Sequence, residues 1–115
     1  MLVTVAEGLI SYEDVAAHLR EERNADALDA PELIDASGAT TDLTPDQVRM
    51  IVDRLMALKK SQPFGVTAVV ATNDVFYGMI RMLGILSELQ GGPVVEVFRE
   101  CAEAEEWLRR YARAR

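Results

Sequence analysis

The stretch from Val66 to Gln90 restricts the fold more than any other. Val66-Thr67-Ala68-Val69-Val70-Ala71 is too short and too rich in valine for a helix, and it is bounded by Pro63-Phe64-Gly65 and Thr72-Asn73-Asp74. This pattern predicts a strand buried on both faces, as in a parallel sheet. The segment that follows carries Val75, Phe76, Met79, Ile80, Met82, Leu83, Ile85, Leu86 and Leu89. At helical spacing most of these fall on one arc, with Tyr77, Arg81, Gly84 and Glu88 opposite, and the arc is wider than the ~100° that one sheet face requires. Such a helix is expected to meet a second partner besides the sheet.

The remaining residues repeat the same alternation. Leu2 to Glu7 alternates as a strand that Gly8 ends, and Ser11 with Asp14 opens a helix whose buried stripe is Val15 and Leu19, with Tyr12 and Ala16 beside it, reaching about Arg23. Pro31 to Ala36 reads as a second strand, with proline at the first position, where a strand tolerates it. Ser37 to Leu43 reads as a loop. Thr44-Pro45-Asp46-Gln47 combines an N-cap threonine, proline at the first helical position, an early acid and the capping-box glutamine. That helix buries Val48, Ile51, Val52, Leu55 and Leu58 and ends near Lys59-Lys60. After Gly91-Gly92, Pro93 to Phe98 forms a fourth strand, and Arg99 to Arg115 a last helix with Ala104, Trp107, Leu108 and Tyr111 on its core face. Strand-helix units repeated four times predict an α/β fold: a single, mainly parallel four-stranded sheet, (βα)4, with helices on its faces. The expected strand order is second, first, third, fourth.

At 115 residues the chain fits one domain, whose core removes roughly two-thirds of the unfolded surface from water. Cys101 is the only cysteine and His18 the only histidine, so neither an internal disulfide nor a Cys/His zinc site can form. No metal and no cofactor are expected. The start, Met1-Leu2-Val3-Thr4-Val5, lacks a secretory pattern, and no window reaches the ~18 apolar residues of a membrane span, which points to the cytoplasm. A net charge of −7 weighs against nucleic acid as a partner. The acid is concentrated in residues 1–64, with 12 acidic and 6 basic side chains against 7 and 6 in the remainder. In the last helix, Glu103, Glu105 and Glu106 come early and Arg109, Arg110, Arg113 and Arg115 late, the order that the helix dipole favours.

Several stretches resemble the bacterial SpoIIAA-like proteins, a branch of the STAS and CRAL-TRIO-like superfamily. They are Gly8 to Asp14, Leu33 to Ala39, Asp42-Leu43-Thr44-Pro45, Val69 to Met79 with Arg81-Met82, and Val97-Phe98-Arg99 followed by Ala102 to Leu108. The resemblance implies a four- or five-stranded sheet with helices and, for most relatives, no established activity. It also implies a further strand, antiparallel to the first one here, which this chain begins too late to contain. In switch-type STAS proteins a serine at the start of the second helix is phosphorylated, which abolishes binding to an anti-sigma kinase. The matching position is Thr44, a candidate regulatory hydroxyl. Leu43-Thr44-Pro45-Asp46 replaces the Asp-Ser-Ser-Gly of those switches, and Asp46 would repel a phosphate.

In an open parallel sheet, ligands settle outside the carboxyl ends of the strands where the order reverses. The expected order places that crevice between Gly8 to Ser11 and Thr72-Asn73-Asp74, with Asp35, Ser37 and Gly38 as one wall. No glycine-rich phosphate loop, catalytic triad or receiver-type acid and lysine set is present, so no catalytic residue is assigned and the chain is read as non-enzymatic. His18, beside the buried stripe of its helix, has no partner fixed by the sequence. Phe76, Ile80, Gly84 and Ile85 are the candidate subunit interface. The expectation is a protein-contact module, a homodimer with a regulatory role and a protein partner; the alternative is a binding module for a small apolar or lipid-like ligand.

Overall fold

The computed structural model describes residues 1–113, with side chains from Met1 to Tyr111, so Arg115 and the Arg113 side chain of the basic tail lie outside the described residues. The chain runs β1 (Leu2–Ile10), α1 (Tyr12–Asn24), β2 (Glu32–Thr41), α2 (Pro45–Ser61), β3 (Thr67–Ala71), α3 (Asp74–Leu89), β4 (Val95–Phe98) and α4 (Cys101–Arg113). The four strands form one all-parallel sheet, so the α/β reading with four strands and four helices holds. Among the described residues no helix is long and apolar enough to cross a membrane.

Helix starts follow the local chemistry. Ser11 and Asp14 close a capping box on α1, Thr44 and Gln47 close another on α2, and Asn73 Oδ1 accepts from the Phe76 amide at the start of α3. Two strand ends differ from expectation. β1 continues through Gly8 to Ile10, and β2 continues through Ser37-Gly38 to Thr41, because the two pair along their whole length from Leu2↔Glu32 to Ile10↔Thr41. A register shift between Val5 and Glu7 and a positive φ of 75° at Gly8 absorb the mismatch inside the ladder. Cross-strand hydrogen bonds thus override the turn-like composition of Ser37-Gly38.

The strand order is β1-β2-β3-β4, which corrects the expected second-first-third-fourth arrangement. β1 is an edge strand, and its alternation of exposed Val3 and Val5 with half-buried Thr4 and Ala6 is the pattern of an edge. β2 is internal, with Leu33 buried toward one face and Ala36 toward the other. Each crossover steps one strand in the same direction, and with one handedness this places α1, α2 and α3 on the same face. On that face Phe76 and Ile80 of α3 pack on Ala36, Val69, Ala71 and Val97, and a second cluster joins α2 to α1 and α3 through Val48, Ile51, Val52, Leu55 and Leu83. α4 alone covers the other face, setting Ala104 and Leu108 against Leu33, Val66, Ala68 and Val70.

Most of the broad apolar arc of α3 is used inside the chain, while Val75, Ile85 and Leu89 stay exposed. Phe76 and Ile80 meet the sheet, while Met79, Met82, Leu83 and Leu86 meet α2. Phe76, Ile80 and Gly84, expected at a subunit contact, are therefore buried within the protomer, and of that set only Ile85 is exposed, at 48%. Gly84 has an intramolecular reason: a Cβ there would collide with the Val95 carbonyl oxygen of β4. Gly78, six residues earlier, faces open space. Gly84→Ala is expected to destabilise the fold by about 1–3 kcal/mol through overpacking, whereas Gly78→Ala should be neutral or stabilising by up to about 1 kcal/mol. Urea denaturation of the two variants measures both; equal effects would refute the close α3–β4 contact as the cause.

Candidate functional site

Helix α1 leans on α2 rather than on the sheet. The space it leaves over β1 and β2 is a cavity of about 200 Å3. The side chains reaching it from the sheet are Thr4, Ala6 and Ile10 of β1, Ile34 of β2, Val69 of β3 and Val95 of β4. Val15 and Leu19 of α1, Leu55 of α2, Phe64, and Phe76 and Ile80 of α3 close the other side. These walls are almost wholly apolar. Thr67 and, near the start of α1, Asp14 also line the cavity, but the polar groups converge at the end beneath the start of β2, where His18, Glu22 and Glu32 meet.

This polar cluster has a simple origin. Val15, His18, Leu19 and Glu22 occupy positions i, i+3, i+4 and i+7, so His18 and Glu22 continue the inward stripe of α1. Glu32 stands two residues before Ile34 in β2 and projects from the same sheet face, where an apolar side chain would be ordinary. It is 4% exposed. His18 Nε2 lies 2.9 Å from Glu32 Oε2 and 3.2 Å from Glu22 Oε1, and Thr4 Oγ1 donates to Glu32 Oε2 at 2.7 Å. Ionised carboxylates only accept hydrogen bonds, so Nε2 carries a proton shared between the two. Hydrogen bonds to Glu22 and then Glu32 raise the His18 imidazole to about 10, against a smaller downward push from burial. Burial acts upward on Glu32, but its bonds from His18 and Thr4 outweigh it and hold the carboxyl below its ordinary value. For Glu22 burial prevails and the carboxyl is raised. The cluster is thus an imidazolium between two acids, spanning the gap from α1 to the sheet.

The expected crevice is not assembled as a unit. β2 runs five residues from Ala36, paired with Ala71, to Thr41, paired with Ile10, which at ~3.3 Å per residue is roughly 16 Å. Ser11 is therefore far from Thr72 along the strands, and β2 lies between β1 and β3, so no reversal of strand order brings them together. The other members do gather beside the carboxyl end of β3 and the middle of β2, where they bind one another. Asp35 Oδ1 accepts from the Ser37 amide and hydroxyl, and Thr72 Oγ1 donates to the Ser37 carbonyl. Gly38 pairs with Glu7 within the ladder. Asn73 caps α3, and Arg99 joins the Thr72 carbonyl, the Asp74 carboxylate at 2.9 Å and the Tyr77 ring at 4.0 Å. Thr44 is exposed, and its hydroxyl accepts from the Gln47 amide.

Compared with known proteins, the chain matches no family model, no curated protein and no solved structure. The site has to be read from its own geometry. Sequence reasoning singled out His18 but missed both of its partners. The i, i+4 spacing to Glu22 was a readable signal. Glu32 had a weaker one, its alternation in phase with Ile34. Nothing local announces that α1 stands off the sheet.

The raised His18 value fixes the sign of a pH effect. A group charged more readily in the folded state stabilises it fully below the unfolded value of 6.5, and the stabilisation fades as pH rises toward about 10. His18 is the only histidine, so its ring resonances are unambiguous. They are expected to stay in the protonated position through neutral pH and to titrate well above it. Stability should fall over the same interval, and His18→Gln should flatten that slope; a ring titrating near 6.5 would contradict the geometry.

Proposed function

We propose that this chain is a non-enzymatic binding module for a small amphiphilic molecule, held between the sheet and α1. The cavity is the observation that supports the reading. Apolar walls that stay open to water forgo the gain of burial, which an apolar occupant would recover. Apolar walls with a few convergent polar groups at one end are the usual form of a small-molecule site. The apolar body would lie along Ala6, Ile34 and Val69, and the polar head would meet His18, Glu22 and Glu32. About 200 Å3 is somewhat more than the ~150 Å3 of an apolar cavity that takes up benzene, which indicates a single-ring or short-chain compound. The resemblance to the STAS and CRAL-TRIO-like superfamily, which includes lipid carriers, agrees with this reading, and the unpaired Cys101 agrees with a cytoplasmic setting.

Native mass spectrometry of gently purified protein is expected to retain a small adduct. Ala6→Phe, which fills the floor of the cavity, should remove that adduct and abolish enhancement of an apolar fluorescent dye while leaving the circular dichroism unchanged. Equal dye binding by both proteins would place the apolar site elsewhere.

A second reading, contact with another copy of the same chain, is supported by β1. Its outer edge pairs with no strand among the described residues, and Val3, Val5 and Leu9 on the uncovered face are 61%, 65% and 60% exposed. Antiparallel pairing of two such edges about a two-fold axis would satisfy the free backbone groups and merge the apolar stripes. Light scattering is expected to give a dimer mass that Val5→Lys lowers to the monomer; a monomer at every wild-type concentration would reject it.

A further inference from the structure

We infer that His18, Glu22 and Glu32 form a binding site for a single divalent first-row transition-metal ion at the polar end of the cavity. The inference concerns these side chains alone and holds whether or not the cavity takes an organic ligand. Among the described residues this is the group of three histidine and carboxylate side chains whose donor atoms lie close enough for one ion, all within 4.8 Å of one another. The donors come from two elements, an i, i+4 pair on α1 and the first residue of β2, so folding brings them together.

The chemistry of the donors selects the ion. A neutral imidazole and two carboxylates carry two negative charges, which balance a divalent cation. Imidazole favours zinc, iron and nickel over magnesium and calcium, and carboxylates tolerate manganese, so the mixed set fits the first-row divalent series. Three protein ligands leave positions open, and the adjoining cavity gives them access, as in metal sites that bind water or a further ligand. Thr4 supplies outer-shell support, since its hydroxyl already holds Glu32 Oε2 at 2.7 Å and fixes that carboxylate. The burial of Glu32, 4% exposed on a mainly apolar face, has a ready reason if its charge is to face a cation. The ion would take the place of the Nε2 proton, so the imidazolium bridge and the metal complex are alternative states of the same three side chains.

The probes are Zn2+ and Mn2+ added separately to chelator-treated full-length protein, followed by isothermal titration and thermal unfolding. One equivalent of Zn2+ is expected to bind with a dissociation constant in the micromolar range or tighter and to raise the melting temperature, with Mn2+ weaker, following the usual order of affinities. Pulsed electron paramagnetic resonance of the Mn2+ form should show one nitrogen coupling, from the single histidine. Glu22→Gln and His18→Gln should abolish the high-affinity equivalent, and Thr4→Val should weaken it about tenfold while retaining the nitrogen coupling. Glu32→Gln should also abolish it; if that variant does not fold, Glu22→Gln, at a less deeply buried position on α1, decides. Exposed Asp53→Asn serves as the control and should bind like the wild type. Absence of a one-to-one isotherm, or equal binding by wild type, Glu22→Gln and His18→Gln, would overturn the inference, the second result assigning the ions to the acidic surface. Ala6→Phe separates this site from the ligand reading, because it should remove the apolar adduct and leave the metal equivalent in place.

Discussion

A mismatch of widths governs this structure. Four strands spaced ~4.8 Å apart place the outer two about 14 Å from each other, whereas three helices packed 8–10 Å apart need about 16–20 Å between the outer axes. The strand order β1-β2-β3-β4 puts α1, α2 and α3 on one face, so they cannot all sit squarely on the sheet. α3 takes the best position, close enough over β4 that only glycine fits at residue 84. α2 packs on α3. The excess width is left to α1, which rests on α2 and overhangs β1, and the cavity is the wedge beneath it. The opposite face has the reverse problem. One helix, α4, covers β2, β3 and β4, and the back of β1 stays bare, with Val3, Val5 and Leu9 in solvent. Cavity and exposed edge are thus two results of the same topology.

The overhang explains why a glutamate is tolerated at an inward-facing sheet position. An unpaired carboxylate there would be strongly unfavourable. Because α1 stands off, its stripe can offer a histidine across the gap, and the neighbouring strand adds the Thr4 hydroxyl. Every buried side-chain nitrogen and oxygen among the described residues has a hydrogen-bond partner. Exchanging this pair for two apolar residues could cost little stability, whereas removing one partner would strand the other. The gain from a charged strut is therefore geometric: it fixes the distance between α1 and the sheet with directional bonds, where apolar side chains would let the wedge collapse.

Much of the fold was legible in the residues. The valine-rich run before Thr72, the capping boxes at Ser11 and Thr44 and the apolar arc of α3 are short-range signals, and each set its element in place. Strand order was not legible, because it depends on which strands lose solvent on both faces. The alternation of Val3 and Val5 with Thr4 and Ala6 marked β1 as an edge, but a short alternating strand can also lie on the half-covered face of an internal one. The error propagated directly into the site. An order with a reversal implies a crevice between β1 and β3, and Ser11 was assigned to it; with β2 between them, that crevice does not exist. Asp35, Ser37, Thr72 and Asp74 do lie near one another, but their hydrogen bonds are spent on one another and on Arg99. The breadth of the α3 arc suggests surface for another subunit, whereas most of it meets α2 and the sheet.

The weak attachment of α1 links the architecture to dynamics. A segment with few buried apolar contacts opens at lower free energy than the core around it. α1 contributes one fully buried residue, Ala16, and reaches the sheet through His18, whereas α2 buries Val48, Ile51, Val52 and Leu55. The loosest helix is thus the one that roofs the cavity. An occupant touching both Ile34 on the sheet and Leu19 on α1, or a cation held between Glu32 on the sheet and His18 on α1, would add its binding free energy to the closed position of that helix alone. The rest of the molecule, already packed through α2, α3 and α4, would feel little of it. A fold that leaves one helix underpacked, over an apolar space with a charged strut at its end, localises the response to binding in that helix.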